Sequence, residues 1–148
     1  IVRRDHLPNH AGQIAFPGGQ HEGSETLRET ALRETYEEVN LPPDEVDVLG
    51  ALTPLYIPPS GFCVYPFVGA APHEPDLRPT DEEVGAILRV PLPHLLDPST
   101  VVCETWTLRG RQVEVPFFRV GGYKIWGATA MMLAELLALC RETLEESR

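Results

Sequence analysis

Cysteine is scarce and scattered in this chain of 148 residues: Cys63, Cys103 and Cys140 form no C-x-x-C pair and are odd in number. That argues against a zinc knuckle and against a disulfide framework, and leaves free thiols that are expected to be buried in a reducing cytoplasm. Long apolar runs are missing as well. Nothing in the sequence is apolar for long enough to span a bilayer, and the start lacks a signal-peptide pattern, so no membrane partner is expected. Positive charge is in short supply: 12 Lys plus Arg stand against 22 Asp plus Glu, a formal net charge of -10. A general nucleic-acid binder needs a basic face, so that class is disfavoured too. Internal repeats and low-complexity blocks are absent. The opening Ile1, in IVRR, reads as the middle of a strand, and native sequence is expected upstream of it.

What is present suits one packed domain over 1–148, with 43% apolar residues. QIAF (13–16) reads as a short strand stopped by Pro17 and the Gly18-Gly19 pair. Ser24 is the expected N-cap of a helix with Glu25 in its first turn, and Leu27, Ala31, Leu32, Tyr36 and Val39 form its expected apolar face. Asn40 suits the left-handed residue that ends a helix, and Pro42-Pro43 prevent continuation. VDVLGALTPLYI (46–57) and FCVYPFVGAA (62–71) are β-rich runs around PPSG. HEPDLRPTDEE (73–83) reads as a loop before GAILRVPL (85–92), and TWTL and QVEVPFFRV flank a hairpin at Arg109-Gly110-Arg111. A last amphipathic helix runs from Ala128 to Glu146. The sum is α+β, a mixed sheet with one central and one terminal helix.

The central helix carries the unusual chemistry. At 100° per residue, Glu34, Glu37 and Glu38 (i, i+3, i+4) crowd one side, where like charges repel and destabilise an isolated helix. A solvated face in an acidic protein is the bland reading of E-x-x-E-E. Two compensations lie within reach. Arg33, one turn before Glu37 and eight residues after Glu25, could brace the acids or reach back to Glu25. A hard divalent cation, Mg²⁺ or Mn²⁺, would also bind carboxylate and carbonyl oxygens.

The whole segment decides between them. Gly19, Glu25, Arg33-Glu34, Glu37-Glu38 and the turn former Asn40 stand at the spacings of the 23-residue box of the Nudix hydrolases, which this chain resembles. Thr35 stands where the box has an aliphatic residue, and Asn40 where it has glycine. The resemblance implies an α/β/α sandwich holding a loop–helix–loop, metal-binding carboxylates at Glu34, Glu37 and Glu38, a backbone ligand at Gly19, and a structural ion pair of Arg33 with Glu25. RRDHLPNHAGQIAFPGG (3–19) is further similar to the signature of the coenzyme A diphosphatases, with Arg4 in place of the family's serine, and SGFCVYPFVG and IWGATAMML look like the same group.

That resemblance implies metal-dependent cleavage of coenzyme A or its derivatives to 3′,5′-ADP and 4′-phosphopantetheine, with Arg3, Arg4, His10 and Gln13 on the substrate. Surface ion pairs of Arg3 and Arg4 with nearby acids are the plainer alternative. Glu83 in TDEEV is the expected acid outside the box, a proton acceptor alongside the catalytic Glu34 and Glu37, with Asp81 and Glu82 as rivals. YIPPSGF (56–62) could touch a pantetheine arm or be a rigid turn. A homodimer is compatible with the resemblance, and nothing in the residues demands one. Another Nudix substrate such as ADP-ribose, or a non-catalytic nucleotide-binding domain, are the competing functions.

Overall fold

Strand β1 (Val2–Arg3) is two residues long, yet it is paired on both sides. On one side lies an isolated bridge from Val2 to Ile14, extended by Arg3 N–H on the Gln13 carbonyl and Gly12 N–H on the Arg3 carbonyl, both 3.0 Å. QIAF therefore meets its neighbour through a single bridge rather than a full strand. The computed structural model describes residues 1–4, 12–58 and 60–146, so His10 lies outside the described residues. Two compact units divide the chain, Ile1–Leu88 and Arg89–Arg148, and each is taken by itself.

In the first unit, helix α1 spans Leu27–Val39. Its N-cap is Thr26, not Ser24, because Thr26 and Glu29 form a reciprocal capping box: Glu29 N–H donates to the Thr26 hydroxyl (3.2 Å) and Thr26 N–H to the Glu29 carboxylate (2.6 Å). Glu25 is thus left before the helix. The helix ends at Asn40, left-handed at φ 62° and ψ 32°. The expected apolar face is only partly covered in this unit, with Val39 at 3% exposure but Leu27 at 39% and Tyr36 at 48%. Its most buried stripe is polar instead, Thr30, Glu34 and Glu38 at i, i+4 and i+8.

After a 3₁₀ turn at Pro43–Glu45 the two β-rich runs each break in two. Strand β2 (Asp47–Ala51) and β3 (Leu55–Ile57) are separated at Pro54, while β4 (Phe62–Val64) and β5 (Phe67–Ala70) are separated at Pro66. Proline has no N–H for a ladder, so each run bends there. β2 pairs with β5 and β3 with β4, and β6 (Val84–Ala86) returns to β1, all antiparallel. Ile1, Val39 and Val84 form the core of this unit, with Ala15, Leu41, Leu77 and Ile87 packed on it.

The second unit begins with a short helix, α2 (Leu92–Leu96), opened by prolines that fix φ and starting at the last residue of the run GAILRVPL (85–92). Then β7 (Val101–Leu108) and β8 (Arg111–Val120) pair without a register break. Arg109 and Gly110, at φ 50° and 76°, supply the two positive dihedrals of a type I′ turn, and Gly121-Gly122 repeat the device before β9 (Tyr123–Ile125). Helix α3 (Gly127–Glu146) follows. Phe117, Val115, Ile125, Leu133 and Leu137 are buried here, and Trp106 stacks on Phe117 and meets Trp126 edge-on.

The thiols are not buried as expected. Cys63 and Cys103 are exposed and Cys140 is half-buried, since the first two sit on outward positions of β4 and β7. Among the described residues no helix is long and apolar enough to cross a membrane. Helices and antiparallel strands together make the chain α+β.

Candidate functional site

Arg33 organises the acid helix. Its guanidinium takes Glu25 in a two-pronged grip, Nε to Oε2 and Nη2 to Oε1, both 3.0 Å. Nη1 reaches Glu34 (2.9 Å) and Glu37 (3.1 Å), and Nη2 also reaches the Gln20 carbonyl (3.1 Å). Bracing the acids and reaching back to Glu25 are therefore one arrangement, which only a planar five-donor fork can make. Glu25 is fixed from other sides too, by Glu22 N–H and the Thr30 hydroxyl, both at 2.9 Å. The Arg33 contact first, then the Glu22 amide, hold the Glu25 carboxyl down at about 2. Arg33 in turn is held above its ordinary value, chiefly by Glu25.

Glu38 faces the opposite situation. It is 6% exposed and accepts one hydrogen bond from Gly18 N–H at 2.9 Å. Burial pushes its carboxyl up, the charges of Glu34 and Asp81 push the same way, and the Gly18 amide and Arg3 offset them in part. Gly19 lies against Glu34, where a Cβ would collide with the carboxylate and force the end of the Glu34 side chain to shift. Thr35, the departure from an aliphatic residue, keeps its place by donating to the Ala31 carbonyl at 2.7 Å.

The second group of acids arrives on the loop before β6. Because β1 pairs with β6, Arg3 comes opposite Val84 and its guanidinium meets the Glu83 carboxylate at 2.6 Å. Arg4 donates its backbone N–H to the Glu83 carbonyl (2.9 Å) and Nε to the Val84 carbonyl (3.3 Å). Arg3 Nε is buried with no hydrogen-bond partner among the described residues. Of the loop acids, Asp81 is half-buried and acts on Glu38, while Glu82 and Glu83 are exposed. Gln13 contributes its carbonyl to Arg3.

Among the described residues no three His, Cys, Asp or Glu side chains converge as a ready metal cluster. Arg33 draws Glu34 and Glu37 aside and Gly18 draws Glu38. The donors nonetheless suit a hard divalent cation: all are oxygens, and the charges of Glu34 and Asp81 add to the cost of charging the buried Glu38. Sequence reasoning missed Gly18, Gln20 and Thr80, whose contributions are backbone groups or long-range contacts. Only the capping signature T-x-x-E at Thr26–Glu29 was there to be read in advance.

The NUDIX domain family matches residues 1–104. A Photorhabdus laumondii protein named "Uncharacterized Nudix hydrolase NudL" is 40% identical over 131 residues, 88% of this chain and 70% of its own length. Its namesakes in Enterobacter sp. strain 638 and Salmonella paratyphi B are 36% and 38% identical over 135 residues, 90% of this chain and 70% of each relative.

Proposed function

The chain belongs to the Nudix family, and from that premise we propose that it hydrolyses the diphosphate linkage of coenzyme A or a close derivative in the cytoplasm. The products are 3′,5′-ADP and 4′-phosphopantetheine, or its acyl form. The observation that carries the hydrolytic part is Glu38, a buried carboxylate under the charges of Glu34 and Asp81, an arrangement relieved by a bound cation. The coenzyme A part is supported by the 3–19 signature and by two arginines, Arg3 and Arg4, standing beside the acids.

Glu34, Glu37 and Glu38 would hold Mg²⁺ or Mn²⁺, with the Gly19 carbonyl as a further ligand. Held there, such a cation would supply charge neutralisation for diphosphate oxygens and a more acidic water. The protein's own part is to place and to take protons. Arg33, clamped on Glu25, orients Glu34 and Glu37. A water oxygen forms the new bond to one phosphorus while the bridging P–O bond breaks. Its proton passes to an exposed carboxylate, Glu37 or Glu83. Arg4 supplies a guanidinium suited to the 3′-phosphate.

The test is product analysis by mass after incubation with coenzyme A, ADP-ribose or ATP, each with Mn²⁺ or EDTA. Metal-dependent 3′,5′-ADP from coenzyme A supports the proposal. Cleavage of ADP-ribose alone keeps the hydrolase and removes the coenzyme A assignment. Tight nucleotide binding without any product points to a non-catalytic domain. Glu37→Gln and Glu83→Gln then separate the two proton acceptors.

A further inference from the structure

A helix leaves its last four carbonyls without partners of its own, so α1 needs four donors from beyond Val39. All four are found. Asn40 N–H donates to Tyr36 (2.9 Å), the Thr80 hydroxyl to Glu37 (2.6 Å), Thr80 N–H to Glu38 (3.2 Å), and Arg78 N–H to Val39 (3.1 Å). Three of the four come from one loop, and two of those from a single residue. Asn40 Nδ2 closes the same seam on the Asp76 carbonyl at 3.3 Å, and Leu77 packs on the Ile1–Val39–Val84 core.

The acid run Asp81–Glu83 begins at the next residue. Asp81 accepts Glu83 N–H on its carboxylate (2.6 Å) and Val84 N–H on its carbonyl (3.2 Å), so Asp81 and Glu83 turn as one piece. That piece is anchored beyond by Arg3 on Glu83 and before by Thr80 on α1. Glu37 and Glu38, whose carboxylates belong to the site, are the same residues whose carbonyls Thr80 takes. A shift of the loop along the helix end would therefore change the reach between the two sets of acids directly.

We propose that Thr80 is a positioning residue for the hydrolysis: its hydroxyl, bonded to the Glu37 carbonyl, sets the distance at which Asp81 and Glu83 face the Glu37–Glu38 turn. This rests on the hydrolase reading above. Thr80→Val keeps the shape and the backbone N–H but deletes the hydroxyl donor; Thr80→Ser keeps the donor and loses a methyl group.

The experiment compares kcat and KM for the cleaved nucleotide in wild type, Thr80→Val and Thr80→Ser, together with amide hydrogen exchange over residues 78–84. Thr80→Val is expected to lower kcat about tenfold or more with KM within roughly twofold, because a small misplacement of reacting groups lowers rate rather than binding. Faster exchange over 78–84 accompanies it, and Thr80→Ser restores both. A Thr80→Val protein with wild-type kcat, or a loss that Thr80→Ser does not restore, overturns the proposal. If the wild type cleaves no nucleotide, the hydrolase reading fails on its own, and the positioning role in hydrolysis falls with it. The exchange comparison then shows separately whether the Thr80 anchor exists.

Discussion

The two sets of acids in the first unit are held by opposite means. On α1, one side chain does the holding: Arg33 reaches Glu25, Glu34, Glu37 and the Gln20 carbonyl, all of them near in sequence. On the loop, a seam of several groups does it: the Thr80 and Arg78 backbone amides and the Thr80 hydroxyl on the helix end, and the Asp81 carboxylate on Glu83 N–H, with one partly exposed ion pair to Arg3 added. A side-chain hub fails as a whole when its centre is removed. A seam of several bonds loses strength bond by bond, most at a residue such as Thr80 that makes two of them. The helix acids should thus depend on one residue, and the loop acids on the fit of several.

The sharpest way to break that contrast is Arg33→Ala. Hydrolysis is expected to fall by roughly a hundredfold or more, since the geometry of several carboxylates is lost together. Arg33→Lys should recover little of it, because a point charge cannot reproduce the fork. Steady-state kinetics decides; near-normal rates for the lysine variant would mean that charge alone suffices. Next comes Gly19→Ala, whose new methyl group must displace the Glu34 carboxylate. A drop in rate of about tenfold with a nearly unchanged melting temperature is expected, as strain falls on a side-chain tip rather than the core.

The two segments were not equally legible in the sequence. Glu34, Glu37 and Glu38 could be placed on one side of a helix because 3.6-residue periodicity is local, and Asn40 could be placed at its end because few residues accept φ 62°. The helix N-cap stands two residues beyond the expected Ser24, because two candidate hydroxyls stand within three residues and only Thr26 has Glu29 at the capping-box spacing. Pro54 and Pro66 stand inside runs whose β-branched and aromatic content points to strand, and the missing donor of each proline is what divides them. Nothing local reveals that Thr80 meets Glu37 or Arg3 meets Glu83, contacts separated by 43 and 80 residues.

Smaller effects sharpen the comparison. Val84, fully buried where the loop enters β6, shares its core with Val39 at the end of α1. Val84→Ala should cost about 1–3 kcal/mol in denaturant unfolding, from lost burial and the cavity left behind. An effect near zero would show that the seam does not lean on this core.

Acid should reach the hub through Glu25, whose carboxyl is held down from 4.5 to about 2. A depressed carboxyl stabilises the fold above its unfolded value and loses that contribution as pH falls through its folded value. The stability gap between wild type and Glu25→Gln should therefore be full above pH 4.5 and shrink toward pH 2, followed by melting temperature against pH. Arg3→Ala should change stability least, by about 0.2–1 kcal/mol, because its partner Glu83 is 51% exposed and solvent screens the pair.

The pairing of β1 with β6 has a consequence in time. The β7–β8–β9 ribbon joins neighbours through two-residue turns and can form from contacts close along the chain, on the fast scale of hairpins. Arg3 finds Glu83 only after 80 residues have been drawn into a loop, a closure with a larger entropic penalty than either turn. The Arg3–Glu83 contact is therefore expected to form later than the ribbon's local turns.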